Sequence, residues 1–244
     1  MISAQTLALI ALSALCASFI QRVTGFGFGI FIMTVLPFLM PSYAEATALS
    51  GLLALLSATI TAVQMRRYVE WKKLWGILAV FIVVSFLSIR IVASLDTHFL
   101  RRILGAVLIL VSIYFFFVSG RLRLRPTLPV QAGMGAISGV MGGFFAMQGP
   151  PAVIYFLSCT ESKAVYMSLI STYFVVSNTV MSLFRAGNGF VTTAVGAAWI
   201  AAAPAAFMGI WLGTKVYRKI RIELLRKIVY AYMAASGVTA IILA

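Results

Sequence analysis

Acidic side chains are nearly missing: Glu45, Glu70, Asp96, Glu161 and Glu223 are all five among 244 residues. So few carboxylates leave little material for a proton relay inside a membrane. His98 is the single histidine, which excludes paired-histidine metal motifs such as HExxH. Cys16 and Cys159 stand apart in apolar surroundings and make neither a disulfide framework nor a metal site. No metal and no cofactor is therefore expected. A hydrolase would need a nucleophile beside a base, and His98 has no evident serine partner, so the chain does not read as an enzyme. The first residues, "MISAQTLALIALSALCASFI", lack a basic leader, so they read as a retained membrane segment rather than a cleaved signal.

What remains is apolar. Hydrophobic residues make up 62% of the chain, charged residues 10%, and the mean hydropathy is +1.06. A soluble fold of this length cannot hide so much apolar surface, so the solvent is lipid. The net charge of +14 could suggest nucleic acid. The cations sit in short connectors between apolar runs, however, as the positive-inside rule describes. That excludes a nucleic-acid partner and leaves attraction of an anionic solute open. Apolar runs fall at about 4–20, 26–40, 45–64, 74–95, 103–120, 130–147, 150–159, 164–184, 194–214 and 228–243. The expected fold is an all-α polytopic membrane protein with about eight to ten membrane segments. It forms one domain over 1–244 with no soluble part. Trp71, Trp75, Trp199 and Trp211 lie near segment ends, as interfacial anchors do.

The halves resemble each other. "QRVTGFGFGIFIMTVLPFLMPSYAEATALSGLLALL" is answered by "GFFAMQGPPAVIYFLSCTESKAVYMSLIS", and "LRRILGAVLI" by "LRKIVYAYMA". Each half has a glycine-bearing break, a short apolar piece, a polar turn with a Glu, then a long helix. Repeats of about 1–122 and 127–244 follow. Placing 65–73 in the cytoplasm puts 121–129 and 215–227 on the same side and 185–193 outside. Both termini then face outward, and the two repeats are inverted. Arg101, Arg102 and Arg185 would be the outer cations, with the Arg101–Arg102 pair against the trend. Arg90 falls within a span, near its end, where it can snorkel.

The breaks carry the candidate chemistry. Residues 6–19 and 26–40 would each span about 22 Å as helix, and 150–159 about 15 Å, against a core of about 30 Å. Broken or re-entrant hairpins are expected, with tips near Gln21–Gly29 and Met147–Pro151. Irregular backbone at that depth survives only under protein or water. A helix start at each tip would aim free N–H groups at a shared anion site. Candidate substrate-binding residues are Gln21, Arg22, Thr24, Gly25, Gly27, Gly29, Gln148, Gly149, Pro150 and Asn178. Plainer readings stand beside these. The glycines could serve only helix packing. Arg22 could snorkel to the interface instead of reaching the tip. Asn178 could glue helices rather than line a path. Ser42 and Glu45 match a capping box, and Asp96 with His98 reads as an exposed loop.

The chain resembles the sulfite exporter TauE/SafE family. The resemblance rests on "TGFGFGIFIMTVLPFL", on "AEATALSGLLALLSATITAVQMRR" with "VEWKKL", and on their repetition across nearly the whole chain. The second break, "FFAMQGPPAVIYFL", departs from the glycine-rich run that is usual there. The resemblance implies a secondary transporter of sulfite or an organosulfonate, often in a bacterial inner membrane. An anion channel, a carrier of another anion such as a carboxylate, and a membrane-embedded partner subunit stay open at this point, as does a homodimer.

Overall fold

A computed structural model describes residues 2–92, 94–117, 124–160, 162–216 and 222–242. The connectors at 121–129 and 215–227 lie partly outside these, and Glu161 lies wholly outside. The helices are α1 (Ala4–Thr24), α2 (Phe28–Ile32), α3 (Leu36–Leu39), α4 (Tyr43–Met65), α5 (Trp71–Val92) and α6 (Thr97–Phe117). They continue as α7 (Leu128–Phe145), α8 (Gly149–Cys159), α9 (Lys163–Gly187), α10 (Thr193–Val216) and α11 (Ile222–Ile242). No strand occurs among the described residues. Seven helices there are long and apolar enough to cross a membrane: α1, α4, α5, α6, α7, α9 and α10. Shorter apolar helices cover 28–39, 149–159 and 230–242.

One length differs from expectation. The first arm does not stop at Phe19, because α1 continues through Gln21 and Arg22 to Thr24. Its 21 residues at about 1.5 Å each give about 31 Å, a crossing length. Only the return pieces, α2–α3 and α8, are short. Arg22 stays in the helix with partners supplied by α4 and α10, as described below.

Small residues set the packing, since lipid offers no hydrophobic drive between helices. Gly209 and Gly213 of α10 press on the Leu15 and Phe19 carbonyls of α1; an added Cβ would lie 2.2 and 3.2 Å from those oxygens. Gly135, Gly139 and Gly143 of α7 sit likewise on the Ile77, Phe81 and Ser85 carbonyls of α5, at 2.6, 3.1 and 3.2 Å. In both pairs the numbers rise together, so the helices run parallel. α6 and α11 instead cross antiparallel at Gly105 and Gly237, each against the other's carbonyl. α4 and α9 also pack antiparallel and form the centre of the molecule. Their shared seam carries buried Ser57 and Thr61 from α4, and Ser171, Asn178 and Ser182 from α9.

The helix ends follow local chemistry. Ser42 Oγ accepts from the Glu45 N–H, the expected cap of α4. The Glu45 carboxylate accepts from the hydroxyls of Ser42 and, at 2.5 Å, of Thr192 just before α10. Asp96 accepts from the Phe99 N–H at 3.0 Å, which holds its carboxyl below the ordinary carboxylate range. That small stabilisation is present above the unfolded value and is lost as pH falls through the folded one. Arg90 is exposed and lies over the Phe86 ring, in keeping with snorkelling. Trp71, Trp75 and Trp211 are exposed near helix ends.

The Arg101 exception has a structural reason. Its guanidinium donates to the Pro37 carbonyl of α3 and lies over the Phe38 ring at 5.1 Å. Arg101 thus ties α6 to the end of the first return piece, whatever the side. Arg101→Ala should lower stability by about 1.5–3 kcal/mol, the range for a hydrogen bond from a charged group. Thermal unfolding in detergent reads this directly, and an unchanged midpoint would remove the tie from the account.

Candidate substrate site at the paired helix breaks

Both breaks begin with the same left-handed cap. α1 ends at Gly25 (φ 86°), whose N–H bonds the Gln21 carbonyl at 2.8 Å. α7 ends at Ala146 (φ 54°), whose N–H bonds the Gly142 carbonyl at 3.0 Å. Glycine takes that geometry freely, whereas alanine there is strained by about 1–2 kcal/mol. After Gly25 the chain turns again at Gly27 (φ 98°) and starts α2 at Phe28. After Ala146, α8 starts at Gly149 with Pro150 and Pro151 in its first turn. Both prolines lack an N–H, so Gly149 is the main backbone donor that this helix start can offer.

The breaks touch. A Cβ added to Gly29 would lie 2.2 Å from the Ala146 carbonyl oxygen and 3.7 Å from Met147 Cα. One cavity opens along this contact. From the first break it is lined by Gln21, Gly27, Phe28, Gly29 and Ile30, and from the second by Ala146, Met147, Gln148 and Gly149. Ala54, Phe174 and Asn178 close it near the midpoints of α4 and α9. None of these lining residues is charged. Gln148 Nε2 donates to Asn178 Oδ1 at 3.0 Å, and Asn178 Nδ2 donates to the Phe174 carbonyl at 2.8 Å. The Gln148 carbonyl accepts from Ser138, whose hydroxyl also meets Tyr173 at 2.6 Å. Gln21 Oε1 is buried with no protein partner among the described residues.

The sequence pattern of the whole chain decides what kind of protein carries these breaks. A family profile described as "Sulfite exporter TauE/SafE" matches residues 10–240. The chain belongs to the TauE/SafE family. It is therefore a multi-pass membrane transporter and not an enzyme. It is 28% identical over 222 residues to a protein named "Probable sulfite/organosulfonate exporter TauE" from Cupriavidus necator, covering 86% of this chain and 84% of that one. No solved structure matches it.

In this TauE/SafE chain the ten predicted site residues separate. Gln21, Gly27, Gly29, Gln148, Gly149 and Asn178 line the cavity at the breaks. Gly25 joins Gln21 in a second cavity with Ala58, Thr61, Ser171 and Phe174. Arg22 lines a third with Met65, Met167 and Thr214. Its guanidinium donates to Thr61 and Gln64 of α4 and to Thr214 of α10 at 2.8–3.0 Å. The Thr24 hydroxyl is taken by the Ile20 and Phe26 carbonyls, so it shapes the break from outside the cavity. Pro150 is buried within α8 and does not line the cavity.

One residue was placed wrongly from sequence. Arg185 was expected in an outer connector, but α9 runs on to Gly187 and Arg185 is fully buried. The signal was legible. Asn178, Ser182 and Arg185 stand at i, i+4 and i+7, one face of a helix.

Proposed function

We propose that this chain is a secondary transporter of a small sulfur oxyanion, sulfite or an organosulfonate, that works by alternating access. The observation that carries this reading is the backbone contact of the two breaks around one uncharged cavity. A neutral site beside a helix start suits an anion that must both bind and leave. Phe28, Gly29 and Ile30 begin α2, and the first N–H groups of a helix have no acceptor within it. α2 has only five residues, so its dipole is slight and the local N–H groups matter more. The Gln21 amide lies beside them, while Gln148 Nε2 already donates to Asn178 and Ser177 and would have to turn to serve an anion. The relative's name, a sulfite/organosulfonate exporter, supports the substrate class.

Inverted repeats of about 1–122 and 127–244 are part of the proposal. The packing supports them: α1 against α10 corresponds to α5 against α7, while α4–α9 and α6–α11 each pair antiparallel with their own counterpart. A two-fold axis in the membrane plane generates this pattern. The positive-inside reading then sets both termini outside an inner membrane and the Arg22 end inside.

A line of cavities favours that end as the open one. Gln21 and Phe174 are shared by the first and second cavities, and Met167 by the second and third. Arg22 stands at the last of these and would gather anions from the cytoplasm. Export is the direction the membrane potential favours, by about 2.3 kcal/mol per negative charge at 100 mV.

Purified protein in liposomes should carry saturable flux of sulfite or 2-hydroxyethanesulfonate. Flux that never saturates would indicate a channel, and preference for acetate would overturn the substrate class. Arg22→Ala should raise the apparent KM about five- to tenfold, with the effect shrinking at high salt. An unchanged KM would remove Arg22 from the entry path.

A further inference from the structure

Arg185 asks for a ligand that the break cavity does not provide. It is fully buried, and its Nη2 donates to the Gly142 carbonyl at 2.8 Å. Its Nε and Nη1 are buried with no protein partner among the described residues. The hydroxyls of Tyr43 and Ser182 are also buried and unpartnered. Arg185 and Ser182 meet beside Gly51. Tyr43 lies within electrostatic range of Arg185. A Cβ added to Gly51 would lie 3.0 Å from Arg185 Nη1, 3.4 Å from Ser182 Oγ and 4.0 Å from Asn178 Oδ1. Gly51 therefore leaves room where a side chain would crowd the guanidinium. A buried cation with unused donors is expensive, and an arriving anion removes that penalty. An oxyanion also accepts several N–H and O–H bonds at once, which a halide does more weakly.

We propose that Arg185, Tyr43 and Ser182 form a second oxyanion subsite, next to the break cavity and on the side away from Arg22. This rests on the transport reading above and extends it. Asn178 joins the two sites, since it lines the break cavity and sits one and two turns before Ser182 and Arg185. The Gly142 carbonyl joins them again. It accepts from Arg185 and from Ala146, the cap of the second break. An anion that draws the guanidinium away from Gly142 leaves that carbonyl to the Ala146 cap alone, so the two sites share one acceptor. Arg22 and Arg185 thus stand at opposite ends of the α4–α9 seam, with the breaks between them.

The test uses the full chain in detergent for binding and in liposomes for flux, with sulfite and nitrate as probes. Tyr43→Phe and Ser182→Ala each remove a hydroxyl that bonds nothing among the described residues. The ligand-free melting temperature should hold or rise, while the Kd for sulfite weakens threefold or more. Arg185→Lys keeps the charge but loses the planar fork, and the Kd should weaken at least tenfold. A purely structural arginine predicts the reverse: Arg185→Lys lowers the ligand-free melting temperature, and all three variants that fold bind sulfite like wild type. That result, with normal wild-type flux, overturns the subsite and spares the transport reading. Nitrate binding that depends on Arg185, in a protein that moves no sulfur anion, supports the subsite and defeats the transport reading.

Discussion

Gly29→Ala should abolish flux while leaving the protein inserted and folded. The added carbon lies 2.2 Å from the Ala146 carbonyl oxygen, far inside contact distance, and that oxygen is backbone. No rotamer change relieves it, so the breaks must part. Conformation is not the obstacle, because Gly29 is inside α2 and its φ is not among the positive ones. Alanine would even favour the helix by roughly 0.5–1 kcal/mol. The effect is steric and local to the site, where a shift of about 1 Å costs on the order of a hundredfold in rate. Two controls grade it. Gly149→Ala would meet the Phe174 ring at 3.3 Å, which can turn aside, so a loss of a few-fold is expected. Gly133→Ala has nothing within 4 Å and should leave flux unchanged. Equal flux in all three variants would show that the contact between the breaks has no part in transport.

Features set by neighbours in the chain were legible in the sequence. Each of the ten apolar runs holds helix among the described residues, with 26–40 split into α2 and α3, and Ser42 caps α4 as its spacing to Glu45 indicates. The two breaks were visible as glycine and proline in greasy surroundings, and their residues line a common cavity. What was not legible shares one cause, which is that distant helices supply the partners and decide burial. Arg22 lies in the last turn of α1, and its partners Thr61, Gln64 and Thr214 come from helices far away in the chain. Arg185 looked like the start of a loop because "AGNG" follows it, but the left-handed turn comes only at Gly189 (φ 76°). Arg101 broke the charge pattern because it serves the Pro37 carbonyl, a partner 64 residues away. Ala146 gave no signal at all, since a left-handed alanine cannot be told from a helical one by its letter.

Gln148→Glu should reduce organosulfonate flux by about a thousandfold at neutral pH and recover as the pH falls. The side chains have the same shape, so the cavity keeps its walls. The charge does not stay the same. A carboxylate about 4 Å from a bound anion repels it by about 4 kcal/mol at an effective dielectric constant of 20. That corresponds to roughly three orders of magnitude in affinity. The carboxylate would also face Asn178 Oδ1, which now accepts from Gln148 Nε2 at 3.0 Å. Protonation removes the charge and restores a donor to Asn178, so acid should return flux toward wild type. A sulfonate is the right probe because its own charge does not titrate over this range, whereas that of sulfite does. Gln148→Leu separates charge from hydrogen bonding. It leaves Asn178 Oδ1 buried without its donor, for an expected loss of about 1–3 kcal/mol, with no recovery in acid. If the Glu variant is as impaired in acid as at neutral pH, position 148 acts through packing and the anion sits elsewhere. If acid rescues Glu but not Leu, the anion lies beside this amide, at the contact between the breaks.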